Sequence, residues 1–185
     1  MKFKLGPIDS DSAQPDSNRE NIKGMSVWEF QIKAIPIGII AAIVIGFLWS
    51  FVISVNAFIG EFRFPDTVII FTLCLIGTLI IHEFLHFIAH PRNGNPDDSV
   101  IGFWPSRLFL YAQYNGKTTR RQSCTILMMP FTIISILPLL ISMVTMKTTY
   151  WIVYISILNA YLSSGDLFLT IRTLRDLPSK ADSSI

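Results

Sequence analysis

Residues 67–90 read TVIIFTLCLIGTLIIHEFLHFIAH. From Thr67 to Ile81 the run carries no charge; then His82, Glu83, His86 and His90 follow in quick succession. The first part is what a bilayer core accepts, and the second is what it penalises. In hydrocarbon the backbone must satisfy its own N–H and C=O groups, so the run reads as a membrane-spanning helix. Working outward, three more stretches lack charge: residues 34–60 between Lys33 and Glu61, 122–146 between Arg121 and Lys147, and 148–165. Each meets or approaches the ~20 residues that cross a ~30 Å hydrocarbon core. The expected fold is an all-α integral membrane protein with four transmembrane helices. Pro36, Pro130 and Pro138 are expected to distort those helices locally.

Composition agrees. Of 185 residues, 51% are hydrophobic and 15% are charged, against ~25% charged in ordinary soluble domains. Mean hydropathy is +0.49. A soluble domain of this length could not hide so much apolar surface, and a net charge of +2 offers no electrostatic footprint for nucleic acid. The bilayer is the expected partner. Two cysteines, Cys74 and Cys124, are too few for a disulfide-built secreted domain.

The expected organisation is a flexible tail over 1–33, a four-span domain over 34–172 and a C-terminal tail over 173–185. The first tail is rich in Ser, Asp, Asn, Pro and Gln up to about Gly24, and Met25–Lys33 reads as a short interfacial helix with Trp28 and Phe30 at headgroup level. Thirteen of the 15 Lys and Arg residues fall in the two tails and the loop between helices two and three; only Arg63 and Lys147 lie in the other loops. With an even number of spans, this asymmetry puts both termini and the long middle loop in the cytoplasm.

Within residues 82–86 lies H-E-x-x-H. On a helix His82 and His86 share one face at i and i+4 and can both reach one zinc ion. Glu83 sits beside the metal, where it can take a proton from water and pass it to a leaving amine. The solvated interfacial alternative is disfavoured by depth: His82 lies about 22 Å along the helix from Thr67 at 1.5 Å per residue. His90 continues the row, but about 12 Å from His82 it cannot share the same ion, and it is expected to mark the helix end before Pro91.

A third ligand must come from elsewhere. Asp166 is the only other carboxylate in an expected span, about 27 Å along its helix from Thr148 and therefore level with the two histidines. Two imidazoles and a carboxylate form a catalytic zinc set. The competing reading, an interfacial carboxylate paired with Arg172, leaves a negative charge at a helix C-terminus, which is unfavourable. Ser163, Ser164 and Gly165 keep that helix face small for close packing. Asn159, two turns before Asp166, either donates to a developing oxyanion or bonds between helices. Thr78, one turn above His82, reads as packing or as support for that ligand.

His82-Glu83-x-x-His86, with Met129-Pro130-Phe131 in the next span and Asn159 and Ser163-Ser164-Gly165-Asp166 in the last, resembles the putative zincin peptidase family of small bacterial multi-pass membrane proteins. Its plan is similar to that of site-2 intramembrane metalloproteases. The resemblance covers roughly residues 67–172. It implies that His82, His86 and Asp166 bind zinc, that Glu83 is the general base, and that the chain resides in the bacterial cytoplasmic membrane. Here Gly165 precedes Asp166, whereas site-2 proteases usually carry the glycine after the aspartate.

The loop 91–121 holds Phe103, Trp104, Phe109, Tyr111 and Tyr114. Residues 107–114 alternate weakly and Asn115-Gly116 is a hairpin-turn signal, so a small β-hairpin is expected beside the zinc helix. Its edge could receive an unwound substrate; an aromatic belt is the competing reading. Asp97 and Asp98 read as a polar turn without a catalytic role, and Arg120-Arg121 as the start of helix three. The expected activity is zinc-dependent hydrolysis of peptide bonds in membrane or membrane-proximal proteins. The alternatives are a non-catalytic membrane adaptor and a transport accessory subunit that uses the same polar residues for metal binding, helix packing or an ion path.

Overall fold

The computed structural model describes residues 2–6, 27–53, 66–91, 98–105, 109–116 and 118–176. Helices dominate. α1 spans Val27–Trp49 and α2 spans Asp66–Ile88. α3 (Arg120–Pro130), a π-helical segment (Phe131–Ile136) and α4 (Leu137–Thr145) run on as one rod, followed by α5 (Tyr150–Leu162) and α6 (Ser164–Asp176). Three helical stretches are long and apolar enough to cross a membrane: Trp28–Trp49, Val68–Ile88 and Arg120–Thr145. The α5–α6 pair counts as a fourth if taken as one span bent by 51°.

Burial follows polarity in reverse along the long helices. Ile39, Ile40 and Ile43 of α1 and Val68, Leu73 and Ile80 of α2 are exposed, whereas Ser135, Ser156, Asn159 and Ser163 are wholly buried. Polar groups turned inward and branched aliphatics turned outward suit a solvent that offers no hydrogen bonds. Around the apolar cluster of Ile45, Trp49, Leu139, Val153 and Ala160, α1 packs along α5, and α4 contributes Leu139. The Trp49 indole N–H donates to Ser156 Oγ at 2.9 Å, tying α1 to α5.

Local chemistry explains the breaks. α3 begins at Arg120 as expected, because Thr119 and Gln122 form a reciprocal cap: Thr119 Oγ1 accepts from the Gln122 N–H at 3.2 Å, and Gln122 Oε1 accepts from the Thr119 N–H at 2.9 Å. Pro130 and Pro138 bracket the π-helical segment, the distortion expected of them. Pro36 is accommodated within α1.

Several expectations are corrected. Met25–Lys33 is not a separate interfacial helix: from Val27 these residues are the first turns of α1, which runs on as one helix through Pro36. The fourth span is two helices, because Ser163 leaves helical geometry (φ −71°, ψ 9°) and α6 restarts at Ser164. The small β-hairpin expected in the loop does form, β2 (Ser99–Trp104) pairing antiparallel with β3 (Phe109–Tyr114), but it is not alone: β1 (Lys2–Leu5), from the expected flexible tail, adds in parallel to the far side of β2. The remaining tail positions 7–26 and residues 177–185, like Asp97, lie outside the described residues. Finally, Asn115-Gly116 does not turn the hairpin. It sits at the open end, where the Asn115 N–H donates to Asp98 O, and the chain reverses between Trp104 and Phe109 instead.

Close approaches fix the sheet and the bend. Gly102 faces Tyr111 across the ladder, and a Cβ there would collide with the phenol ring. Gly38 of α1 lets the α5–α6 junction come so near that a Cβ would meet the Ser164 side chain at 2.6 Å and the Tyr161 carbonyl at 2.8 Å. The small residues 163–165 thus pack closely as expected, against α1.

Candidate metal centre

α2 passes β3, α3 and α5 and presents a different side chain to each. His82 and His86 are buried on one face; Glu83, roughly 100° around the helix, faces the sheet. Asp166 enters from the first turn of α6. The restart at Ser164 changes its electrostatics: instead of a carboxylate at a helix C-terminus, Asp166 is a carboxylate at a helix N-terminus, where the helix dipole favours it. Arg172 lies over the Phe168 ring, 5.8 Å from its centroid.

Three atoms converge. Asp166 Oδ2 lies 3.0 Å from His82 Nε2 and 3.3 Å from His86 Nε2, and the two Nε2 atoms are 3.2 Å apart. Among the described residues, His82, His86 and Asp166 form the group of His, Cys, Asp and Glu side chains able to share a metal ion. Ligands on a tetrahedral zinc with bonds of about 2.0–2.2 Å stand about 3.3–3.6 Å from one another, close to the separations here. The spacing fits.

The proton arrangement fits as well. His86 Nδ1 lies 2.9 Å from the Ile126 carbonyl, which can only accept, so Nδ1 carries the hydrogen. His82 Nδ1 lies 2.9 Å from Asn159 Oδ1. The Asn159 orientation is set because its amide N–H groups donate to Pro130 O at 3.1 Å and Ser135 Oγ at 2.9 Å. Ser135 Oγ donates to Ser156 O, and Ser156 Oγ donates back to Ser135 O. Each ring thus donates through Nδ1, and in the neutral form each Nε2 lone pair points at the other and at a carboxylate oxygen. Three acceptors facing one another call for a cation between them, and the outer hydrogen bonds are those that orient metal-binding imidazoles.

The remaining candidates separate. Glu83 interacts electrostatically with His82, His86 and Asp166, and its Oε2 accepts from the Ala112 N–H of β3 at 2.9 Å. Asn159 is wholly buried, with both amide hydrogens donated to Pro130 O and Ser135 Oγ and its Oδ1 2.9 Å from His82 Nδ1. His90 lies just past α2, outside the metal group; its Nδ1 is 3.2 Å from Ser99 Oγ and its ring packs on Phe87 and Tyr114. Burial, with His86 nearby, pushes the His90 imidazole down to about 4. Thr78 is buried and no hydrogen bond joins it to His82.

Sequence reading missed the partners of both imidazoles. The Ile126 carbonyl has a sequence signal: it stands four residues before a proline. Ser156, Asn159 and Ser163 recur at helical spacing in an apolar segment, the mark of a polar seam. The Ala112 N–H has none, since any residue supplies one.

A family model described as "Putative zincin peptidase" matches residues 75–181, more than half of the chain and the whole of this centre. No curated protein and no solved structure matches.

Proposed function

The chain belongs to the family described as "Putative zincin peptidase", and from that premise we propose that it is a zinc-dependent membrane peptidase acting on membrane or membrane-proximal proteins. One observation carries the reading: two imidazole nitrogens and a carboxylate oxygen converge at 3.0–3.3 Å with Glu83 on the same helix turn. His82, His86 and Asp166 would hold the ion. Bound there, zinc supplies Lewis-acid polarisation of the scissile carbonyl and of the attacking water.

The protein's own groups do the rest. Glu83 takes the proton of the attacking water and delivers it to the leaving amine. The Ile126 carbonyl and Asn159 hold the imidazoles in register. β3 supports an extended substrate: β2 occupies one of its edges, and the Ala112 N–H on the other points at Glu83. By alternation, Leu110 and Tyr114 turn backbone groups to that same edge. A peptide pairing there lies beside the general base, and strand addition supplies the unwinding that a helical substrate needs.

In the proposed orientation both termini and the sheet are cytoplasmic, with the centre near that leaflet, as the Lys and Arg asymmetry favours. The direct test compares membrane proteomes of cells carrying the wild-type chain and Glu83→Gln. The reading expects protein fragments that vanish in the variant although it retains zinc. Identical fragment sets, with zinc present in both, would contradict it.

A further inference from the structure

In an α-helix the carbonyl of residue i is covered by the N–H of residue i+4. For Ile126 that residue is Pro130, which has no N–H. The next candidate, the Phe131 N–H, donates to Met128 O instead. The Ile126 carbonyl is thereby free, within the buried side of α3, to accept from His86 Nδ1 at 2.9 Å. The same proline acts a second time. Its own carbonyl accepts from Asn159 Nδ2 at 3.1 Å, and Asn159 Oδ1 receives the His82 Nδ1–H at 2.9 Å. The π-helical turn that starts directly after it carries Ser135, whose Oγ takes the other Asn159 hydrogen at 2.9 Å. Such turns recur at functional sites because they re-aim backbone and side chains.

We propose that Pro130 is the positioning residue of the metal centre, orienting both imidazoles through backbone chemistry: a hydrogen it lacks frees the Ile126 carbonyl for His86, and its carbonyl fixes the Asn159 amide that holds His82. Pro130 is fully buried and touches no reacting atom. Pro138 lies in the same rod, yet no hydrogen bond of the centre runs through it. The proposal rests on the zinc reading above and assigns the source of its ligand geometry.

The experiment measures zinc affinity of the full-length chain in detergent, by competition with a chelator. Pro130→Ala restores an N–H that competes with His86 for the Ile126 carbonyl. Lactic acid placed at position 130 by nonsense suppression provides the same methyl group with an ester and no N–H. Pro138→Ala is the control for loss of a proline from this rod. Loss of an outer hydrogen bond to a metal ligand typically weakens binding about 10- to 100-fold, and that is the loss expected for Pro130→Ala, with the lactic acid chain and Pro138→Ala within about threefold of wild type.

Wild-type affinity in Pro130→Ala, or equal weakening in the alanine and lactic acid chains, would overturn the proposal. Should the alanine chain fail to fold, the lactic acid chain decides alone: native affinity supports the assignment and lost affinity overturns it. A wild-type chain that binds no zinc would instead refute the functional reading on which the assignment rests.

Discussion

The Ala112 backbone N–H donates to Glu83 Oε2 at 2.9 Å, joining the edge strand β3 to the H-E-x-x-H helix. Because this N–H points away from β2, its removal spares the sheet ladder, and proline is tolerated where an edge N–H faces outward. Ala112→Pro should therefore keep the fold and the zinc. A hydrogen bond to a charged group contributes about 1.5–3 kcal/mol, so its kcat/KM for an extended peptide should fall roughly 10- to 100-fold. Peptidase assays beside zinc analysis check this; unchanged kcat/KM would show that neither Glu83 nor the substrate uses that group.

Glu83→Gln keeps size and shape while removing the base. General acid–base catalysis typically contributes about 10²–10⁴-fold, and turnover should drop by that factor with zinc content unchanged. Metal analysis and turnover on one preparation separate the roles, since a Glu83 that were a ligand would lose both together.

Asn159 should behave as an orienting group. Asn159→Ala removes the acceptor for His82 and should weaken zinc binding about 10- to 100-fold. It also leaves Ser135 without its amide donor, so thermal stability should fall modestly: interhelical hydrogen bonds in membranes average about 0.6 kcal/mol. If zinc affinity were unchanged while turnover collapsed, Asn159 would be an oxyanion donor after all.

Gly38 sets the distance between α1 and the α5–α6 junction. An added methyl meets the Tyr161 backbone carbonyl at 2.8 Å, which cannot rotate away. Overpacking of this kind costs about 1–3 kcal/mol, and Gly38→Ala should show that loss in a reversible unfolding assay. Because the junction carries Asp166, zinc affinity should decline with it.

His90 gives a pH signature. Its imidazole is held down at about 4 by burial, from an ordinary value of 6.5. The unfolded chain therefore takes up this proton first, so stability present above pH 6.5 is lost as pH falls from 6.5 through 4. His90→Gln keeps a partner for Ser99 without a titrating ring, and its melting temperature should fall less steeply than that of wild type over that interval. Parallel profiles would contradict the assignment.

Much of this was legible in the sequence, for physical reasons. Charge-free runs must be helices if they enter lipid, so the runs 67–81 and 122–146 are readable as helix by composition alone. H-E-x-x-H sits on a helix, where spacing alone puts both imidazoles on one face. Asp166 could be matched to them by depth along its helix. The bend at Ser163 was not legible, because nothing in Ser163-Ser164-Gly165 separates a close-packed helix from a broken one. That break reverses the dipole around Asp166, from a C-terminus to an N-terminus. Lys2–Leu5 reads as tail because four residues alternating between basic and apolar become a strand only when an edge such as that of β2 is available. The role of Asn159 depended on Pro130 and Ser135, partners more than 20 residues away.

The central claim is that α2 and α6 meet to form one cation site. Zinc titration of the purified chain, with His86→Ala and Asp166→Asn alongside, tests it most directly. The account predicts about one zinc per wild-type chain, the number a single three-ligand site holds, and loss of it in both variants. A wild-type chain that takes up no zinc, or an Asp166→Asn chain that binds it as tightly as wild type, would contradict it.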